Sequence, residues 1–227
     1  MEIPIERKLL DANDDDAEKN RIMFRSKGVF VLNVMSSPGS GKTTLLVKTI
    51  RHLQPDIRCA VIVGDICTTN DADRFSETGV EVIQINTDAF GGDCHLSAQR
   101  IREASSALSL DRVDLLIVEN IGNLVCPAEF DMGEDAKAVV ISVTEGEDKP
   151  LKYPLMFRVC DVTLYNKTDL LPHLDYDMPQ AVSNIHRVHP AMPVYNVSAR
   201  TEEGFAPWIS WLKGKVQTRQ QERGTGV

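Results

Sequence analysis

The sequence has few cysteines and no long apolar segment. Its 5 cysteines are an odd number without a short-spaced framework, which argues against a small domain held together by disulfides. No apolar run approaches the roughly 20 residues that a membrane helix needs. The first residues also lack the basic and then apolar profile of a signal peptide. We therefore expect a cytoplasmic protein without a membrane partner.

An excess of positive charge is also absent. The chain has 33 acidic and 25 basic residues and a formal net charge of -8, which does not favour nucleic acid or anionic lipid as a partner. Its 227 residues, 42% of them hydrophobic, fit one compact α/β domain better than two small domains. The composition therefore excludes a disordered chain and predicts no nucleic-acid partner.

Short apolar segments alternate with helical patterns from residue 29 onward. The candidate strands are residues 29–35, 59–63, 80–85, 115–118, 139–143, 162–165 and 194–197. Nearly continuous apolar strands separated by helices are typical of a sheet that is covered on both faces. We predict an α/β fold with a doubly wound, mostly parallel sheet, in which ligands bind beyond the carboxyl ends of the strands.

The two ends of the chain differ from this central region. Asn13, which three aspartates follow, is a candidate N-cap, and Gly28 is a candidate helix end, so we predict a helix of about three turns between them. The polar residues from Lys213 onward are expected to fray. The predicted organisation is a helical extension (1–28), a central domain (29–213) and a polar tail (214–227).

A phosphate-binding loop follows the first predicted strand. Residues 36–44 have the sequence SSPGSGKTT and lead from the strand into a helix. In such a loop glycines let backbone N–H groups converge on phosphate oxygens, Lys42 reaches the β- and γ-phosphates, and Thr43 binds Mg²⁺. Ser36 stands where the usual pattern has its first glycine. The arrangement predicts the P-loop NTPase fold, and the predicted loop ligands are Pro38, Gly39, Ser40, Gly41, Lys42, Thr43 and Thr44.

Two acids stand directly after predicted strands, where a nucleoside triphosphatase needs Mg²⁺ ligands and a group that positions water. Asp65 follows the second strand and Glu119 the fourth. Gly122 completes a variant of the D-x-x-G element of GTPases, whose glycine N–H meets the γ-phosphate. Either acid is a candidate to hold Mg²⁺ or to orient the attacking water, and a turn acid or helix cap is the alternative for Asp65. Lys42, Asp65 and Glu119 form the predicted catalytic set.

Residues 166–169 match N-K-x-D, the guanine-reading element of GTPases, directly after a predicted strand. Asp169 can accept hydrogen bonds from both guanine N1–H and the exocyclic amine, whereas adenine offers no such donor pair. Residues 198–200 resemble the S-A-K element, whose backbone N–H contacts guanine O6, with Arg200 in place of the lysine. The pattern therefore predicts GTP and not ATP. The predicted base-binding residues are Asn166, Lys167, Asp169, Ser198, Ala199 and Arg200.

Cys94 and His95 are adjacent in the sequence, and Cys126 follows the predicted γ-phosphate sensor. Mixed thiolate and imidazole ligands suit Zn²⁺ or Ni²⁺. By spacing alone, however, roles in packing suit these residues as well. Cys67 is a candidate accessory ligand. We interpret Cys59 and Cys160 as structural residues. The remaining histidines are interpreted as surface residues: His52, His173, His186 and His189.

Taken together, these motifs resemble the HypB family of hydrogenase nickel-incorporation GTPases. The most specific matches are residues 119–127 (ENIGNLVCP) and 145–154 (EGEDKPLKYP), and the resemblance covers nearly the whole chain. It implies a slow, Mg²⁺-dependent GTPase that forms a homodimer favoured by GTP and metal. It also implies delivery of Ni²⁺ to the large subunit of nickel-iron hydrogenase, together with other maturation proteins. The implied Ni²⁺ or Zn²⁺ site lies at the subunit interface and uses Cys94, His95 and Cys126.

The chain departs from the family pattern in two respects. Some members carry a cysteine-rich or histidine-rich stretch near the N-terminus, whereas here the first cysteine is Cys59 and only His52 precedes it, so we expect no separate nickel store. The early lysine of some related dimerising ATPases is also missing from the loop, and Lys149 is the candidate to reach the nucleotide instead.

Two alternative functions remain from the sequence. One is a urease-type nickel-insertion GTPase, although its cysteine-proline-histidine motif is missing here. The other is a GTP-dependent scaffold that handles no metal and whose thiols are packed in the core.

Overall fold

A seven-stranded parallel sheet forms the centre of the protein. The structure is a computed structural model that describes residues 4–65, 70–86 and 95–225, with side chains described within 11–64, 71–86 and 95–223. The strands are β1 (Phe30–Ser36), β2 (Cys59–Asp65), β3 (Glu81–Asn86), β4 (Leu115–Gly122), β5 (Ala136–Ser142), β6 (Val162–Asn166) and β7 (Val194–Asn196). Their order in the sheet is β3-β2-β4-β1-β5-β6-β7, and these pairings are parallel. The predicted doubly wound parallel sheet is confirmed.

Helices cover both faces of the sheet. They are α1 (Pro4–Lys27), α2 (Lys42–Leu53), α3 (Asn70–Ser76), α4 (Ala98–Ser105), α5 (Cys126–Glu129), α6 (Lys149–Lys152), α7 (Pro154–Val159), α8 (Met178–Val188) and α9 (Phe205–Thr225). Side chains of α2, α3 and α9 pack on one face, and side chains of α1, α4, α7 and α8 on the other. Within the residues that the structure describes, no helix has both the length and the apolar character that crossing a bilayer requires.

Strand β1 shows why the strands are nearly continuous apolar runs. Leu32 and Val34 pack toward α2 and α9, whereas Val31 and Met35 pack on the opposite face. Successive side chains of a strand point to opposite faces, and here both faces are buried. The pattern places β1 in the middle of the molecule, and the loop after it at the carboxyl edge of the sheet.

The N-terminal helix is longer than predicted. α1 begins at Pro4, a residue type favoured in the first turn of a helix, so Asn13 lies inside the helix and is not its N-cap. The predicted end at Gly28 is confirmed: this glycine has a φ of 70°, and its N–H and that of Val29 close the last turn of the helix. Asn13 instead forms contacts with distant segments.

The polar C-terminal segment is helical, so the expectation that it frays from Lys213 onward is wrong. α9 continues to Thr225. Val216 is fully buried in the core, and Arg219 pairs with Asp135, directly before β5. These contacts hold the last described turns of α9 on the sheet, and neither can be deduced from the local polarity of the segment.

An ion pair joins strands at the amino edge of the sheet. Asp114, directly before β4, accepts hydrogen bonds from the backbone N–H of Arg58 at 2.9 Å and from its guanidinium at 2.5 and 2.8 Å. Gln220 of α9 adds a fourth hydrogen bond at 3.0 Å. The hydrogen bonds from the Arg58 side chain hold the pKa of the Asp114 carboxyl below its ordinary value.

Replacement of Asp114 by asparagine is expected to lower the free energy of unfolding near neutral pH by about 1–2 kcal/mol, because charge-assisted hydrogen bonds to Arg58 are lost. A carboxyl whose pKa is lower in the folded state stabilises the fold above its unfolded pKa, and this contribution is lost as the pH falls through the folded pKa. The difference between parent and Asp114→Asn should therefore shrink below about pH 4. Urea unfolding over a pH series measures it.

Asp56→Asn is the control, because this aspartate is 67% exposed and has a surface ion pair with Lys213. Its replacement should change the free energy of unfolding less than Asp114→Asn near neutral pH. If the difference in unfolding free energy between the parent and Asp114→Asn does not depend on pH, the charge of Asp114 does not stabilise the fold as proposed.

Candidate functional site

The phosphate loop joins β1 to α2 at the carboxyl edge of the sheet, in the predicted arrangement of strand, loop and helix. Gly39 and Gly41 have φ values of 74° and 88°, a region that favours glycine. A β-carbon at Gly41 would also lie 2.7 Å from Nδ2 of Asn166. Glycine is therefore required at position 41 both by the backbone conformation and by the close approach of Asn166.

A cavity of about 470 Å³ opens at this loop. The residues around it come from the loop, from the ends of β2 and β4 and from α3. The lining residues outside the loop are Gly64, Asp71, Arg74, Glu119, Asn120, Ile121 and Gly122. A β-carbon on Gly122 would lie 3.2 Å from Cα of Pro38, so this glycine packs directly against the loop. The phosphate loop and the predicted γ-phosphate sensor thus share one cavity.

Glu119 is the centre of a buried polar cluster in this cavity. Its Oε1 accepts hydrogen bonds from Nζ of Lys42 at 2.5 Å and from Oγ1 of Thr43 at 2.7 Å. The side chain of Glu119 is 1% exposed and that of Lys42 is 10% exposed. Within the described part of the chain, the second carboxylate oxygen, Oε2, is buried and has no hydrogen-bond partner. The ammonium of Lys42 balances a charge that burial would otherwise make costly.

The position of Glu119 differs from the prediction in one respect. β4 extends to Gly122, so Glu119 lies within the strand and not after it. Glu119 is in register with Val34 of β1 and Val63 of β2, so strands on both sides continue the ladder beyond the apolar run. Asp65 is likewise the last residue of β2, and its side chain lies outside the described residues.

The oxygen atoms of this cluster fit a Mg²⁺ ion. Mg²⁺ prefers carboxylate, hydroxyl and phosphate oxygens and is usually bound by one or two protein groups together with a nucleotide. Thr43 and Glu119 provide a hydroxyl and a carboxylate 2.7 Å apart, and Oε2 of Glu119 adds an acceptor without a partner among the described residues. These two residues can hold the ion beside the phosphate loop.

The predicted guanine-reading residues form a second cluster against the loop. Asn166, at the end of β6, donates from Nδ2 to the carbonyl oxygen of Ser40 at 2.9 Å and accepts at Oδ1 from the N–H of Ala199 at 3.0 Å. Lys167 donates from Nζ to the carbonyl oxygen of Gly39 at 2.7 Å. Asn166 therefore ties the phosphate loop to the segment around Ala199, and Lys167 adds a second contact to the loop.

Asp169 faces the segment that follows β7. Its Oδ1 accepts a hydrogen bond from Oγ of Ser198 at 2.7 Å, and the guanidinium of Arg200 lies 3.9 Å from Oδ2. The side chain of Arg200 is 82% exposed. Because the N–H of Ala199 already donates to Asn166, a contact of this N–H with a base would be shared between two acceptors. The two predicted elements of the base site, residues 166–169 and 198–200, thus lie together.

His95 and Cys126 lie on segments that meet. The ring of His95 stacks on Phe130, with centroids 3.6 Å apart and an angle of 16° between the planes. Phe130 directly follows α5, which begins at the partly exposed, free thiol of Cys126. In the described ranges no three His, Cys, Asp or Glu side chains converge into a metal cluster. Cys94 lies outside these ranges, so a site with three ligands needs a residue beyond them.

The other thiols agree with the predicted structural roles where they are described. Burial raises the pKa of the Cys59 thiol to about 12, and burial also raises the pKa of Cys160. Both are core residues. Cys67 lies outside the described residues.

Three of the other four histidines are exposed: His52, His173 and His186. His189 differs from its predicted surface role, since it is half-buried and its Nδ1 hydrogen-bonds to the carbonyl oxygen of Phe157 at 3.1 Å.

The structure does not support the hypothesis that Lys149 reaches the nucleotide region. Its Nζ lies 3.3 Å from Oε2 of Glu145 and 5.4 Å from the ring centroid of Tyr153. Among the described residues, the lysine that contacts the phosphate loop, apart from Lys42 of the loop itself, is Lys167.

Sequence reasoning missed Arg74 as a residue of the site. Its guanidinium donates to Oγ1 of Thr44 at 2.6 Å, and the side chain lines the cavity. Its position in the sequence could have indicated this role, because Arg74 lies in the first helix after β2. Such helices begin at the carboxyl edge of the sheet, where a cation would face a bound phosphate.

Comparison with known proteins identifies the family. Residues 30–196 match the family model described as "CobW/HypB/UreG, nucleotide-binding domain". Hydrogenase maturation factor HypB of Rhizobium leguminosarum bv. viciae is 51% identical over 217 residues, covering 96% of this chain and 72% of the relative. The factor of the same name from Escherichia coli is 48% identical over 211 residues, covering 93% and 72%.

A solved structure gives the same result. The crystal structure of HypB from Helicobacter pylori in complex with nickel superposes with a TM-score of 0.86 at 35% identity, covering 92% of this chain and 97% of that chain. The chain therefore belongs to the CobW/HypB/UreG family and, within it, to the HypB hydrogenase maturation factors.

Proposed function

We propose that this protein is a Mg²⁺-dependent GTPase that binds nickel and assists nickel insertion into hydrogenase. The observation that carries the proposal is the buried cluster of Lys42, Thr43 and Glu119 inside the phosphate-loop cavity. Family membership supports a role in hydrogenase maturation and a nucleotide hydrolase activity. The H. pylori relative in complex with nickel supports the metal as cargo.

Phosphate chemistry in this cavity depends on positioning and charge. The N–H groups of the loop, the start of α2 and the ammonium of Lys42 surround the place where phosphate oxygens would lie. Phosphate carries more negative charge than one carboxylate, so it competes with Glu119 for Lys42. Glu119 is then left with Thr43, and these two residues, with Asp65, are the proposed Mg²⁺ ligands. Bound Mg²⁺ would neutralise charge on the β- and γ-phosphates.

Lys42→Ala is expected to lower the rate of GTP hydrolysis by about 100-fold or more, because it removes the cation that contacts the transferred phosphate. Phosphate release measures this rate.

Glu119→Gln keeps the shape of the side chain and removes its charge. It should raise the Mg²⁺ concentration needed for half-maximal hydrolysis and change GTP affinity less. Phosphate release at a series of Mg²⁺ concentrations measures the first effect, and GTP titration measures the second.

Lys48→Ala is the matched control for Lys42→Ala, since Lys48 lies on the same helix and pairs with Glu202 outside the cavity. It should leave hydrolysis unchanged. Full activity in Lys42→Ala would rule out the assignment of the phosphate site.

Base selectivity is proposed to come from Asp169. A carboxylate can accept two hydrogen bonds from guanine, and the hydrogen bond of Asp169 with Ser198, which brings the two predicted base-reading elements together, supports this role. The proposed GTP ligands are those of the phosphate loop together with Gly122, Asn166, Lys167, Asp169, Ser198, Ala199 and Arg200.

Asp169→Asn should weaken GTP binding by roughly 100-fold, because two charge-assisted hydrogen bonds are lost. The amide can donate to a carbonyl oxygen at position 2 of a purine, so the variant should gain affinity for xanthosine triphosphate. Competition of unlabelled GTP, ATP and xanthosine triphosphate against a fluorescent nucleotide measures the change. Asp175→Asn, at an exposed position nearby, is the control. Equal affinity of the parent protein for ATP and GTP would refute the base assignment.

The nickel site is proposed to consist of Cys94, His95 and Cys126 in a homodimer that GTP and metal favour. The stacking of His95 on Phe130 supports a common position for two of the three ligands. The proposed partners are other hydrogenase maturation proteins and the hydrogenase large subunit. The nucleotide can control the metal only if the two nucleotide states differ in their affinity for it.

Nickel titration of the reduced protein tests this site. Ni²⁺ is expected to produce thiolate-to-nickel absorption whose midpoint differs between GDP and a non-hydrolysable GTP analogue. Cys126→Ala should lose the absorption, and Cys160→Ala, which removes a buried core thiol, should retain it. Absent binding, or binding that Cys126→Ala leaves intact, would favour a GTP-dependent scaffold that handles no metal.

A further inference from the structure

Two buried asparagines of α1 face the segments that carry the candidate nickel ligands. Asn13 and Asn20 are seven residues apart, so they lie on the same face of the helix. Asn20 is completely buried and Asn13 is 9% exposed. Asparagine is a poor residue for the interior of a helix and is uncommon in a core, so two of them on one buried face call for an explanation.

Both asparagines join the same two segments. Asn13 accepts a hydrogen bond from the N–H of Ala98 at 3.0 Å and donates to the carbonyl oxygen of Asp131 at 2.7 Å. Asn20 donates from Nδ2 to the carbonyl oxygens of Ala98 at 2.7 Å and of Met132 at 3.0 Å. The start of α4 and the backbone after α5 are therefore fixed to each other through α1.

Further contacts hold the segment after α5 against α1. Gly133 has a φ of 85°, and a β-carbon there would lie 2.4 Å from a backbone oxygen of α1, so the two backbones touch. Arg21 of α1 pairs with Asp131 at 2.6 Å. On the other side, Arg102 of α4 pairs with Asp16 of α1 at 2.9 Å. The connection of α4 to the segment after α5 through α1 thus depends on backbone contact and ion pairs as well as on the two amides.

The bridged positions are close to the candidate ligands. Ala98 is three residues after His95, and Asp131 directly follows Phe130, on which His95 stacks. Phe130 is four residues after Cys126. A cavity of about 300 Å³ lies between the first part of α1, His95 and Phe130. The helix therefore borders the place where the His95 and Cys126 segments meet.

We propose that Asn13 and Asn20 are positioning residues of the nickel site, which hold the His95 and Cys126 segments at a fixed separation. The proposal rests on the nickel site of the proposed function. Groups that orient metal ligands from behind commonly change metal affinity by 10-fold to 100-fold when they are removed. A fixed separation lowers the entropy that the two segments lose when one ion binds both.

Asn20→Ala tests the proposal, because it removes both donors and leaves two buried carbonyl oxygens without them. The matched control is Asn184→Ala: Asn184 is 4% exposed, lies on α8 and donates to the carbonyl oxygen of Glu147 at 2.9 Å, so it links segments without candidate ligands. Nickel titration, GTP binding and thermal unfolding are measured for the parent and for both variants.

The expected result is a nickel Kd about 10-fold weaker in Asn20→Ala, with GTP affinity unchanged. Asn184→Ala should keep the nickel Kd of the parent even where its Tm falls as much. A loss of fold stability alone would not alter the geometry of the metal ligands. The absorption spectrum of Co²⁺ bound in place of Ni²⁺ reports this geometry and supplies a second readout. Its absorption bands should differ between Asn20→Ala and the parent and agree between Asn184→Ala and the parent.

Unchanged nickel affinity in Asn20→Ala would overturn the proposal. An equal loss in Asn184→Ala, or a parallel loss of GTP affinity, would also overturn it, because the effect would then be general damage to the fold.

Should Asn20→Ala not fold, Asn13→Asp tests the proposal instead. This variant keeps the acceptor for the N–H of Ala98 and loses the donor to the carbonyl oxygen of Asp131. It should weaken nickel binding less strongly than Asn20→Ala but in the same direction. If the parent shows no nickel binding that depends on Cys126, the proposed function fails first and this inference with it.

Discussion

A buried carboxylate must have a partner for its charge, and Glu119 meets this requirement with Lys42 and Thr43. The interaction joins β4 to the phosphate loop, and it is available only because β4 lies beside β1 in the sheet. Any ligand that draws the ammonium of Lys42 away leaves the charge of Glu119 without compensation. A cation or a protonated group must then replace Lys42. The nucleotide site and β4 are thus linked by charge balance, without any need for a large movement.

From β4 a chain of buried polar groups continues toward α1, the helix that borders the segments of the candidate metal ligands. Asn120 donates to Asn33 at 3.2 Å, Asn33 donates to Glu134 at 3.1 Å, and Glu134 accepts from the N–H of Met132 at 2.6 Å. The carbonyl oxygen of Met132 accepts from Asn20. Contiguity does not by itself transmit a signal, since coupling requires that the nucleotide states differ in their free energy of metal binding. The hydrogen bonds do show that a continuous set of buried polar groups lies between β4 and Asn20 of α1.

The sequence predicts features that depend on local pattern, and it fails where distant contacts decide. The strands follow from apolar runs between turn residues, and the phosphate loop follows from its glycines and Lys42, because these signals lie within a few residues of each other. The apolar run of β4 predicts an end before Glu119, whereas pairing with β1 and β2 extends the strand through this residue. The polar tail gives no local signal for a helix, because its helix depends on burial of Val216 in the core and on the pair of Arg219 with Asp135, directly before β5. The sequence around Asn13 predicts a cap, because nothing local distinguishes a cap from a buried amide.

The two asparagines of α1 show why contacts around the candidate metal site cannot be predicted from the sequence. Asn13 bonds to a residue 118 positions away, and Asn20 to one 112 positions away. Apolar side chains at these positions would bury without a cost in desolvation, whereas Oδ1 of Asn20 is buried with no partner among the described residues. The amides therefore give up some stability relative to an apolar core. In return they define one separation between α4 and the segment after α5. An apolar contact is not directional and would permit several separations, whereas a metal ion tolerates ligand positions only within a few tenths of an ångström.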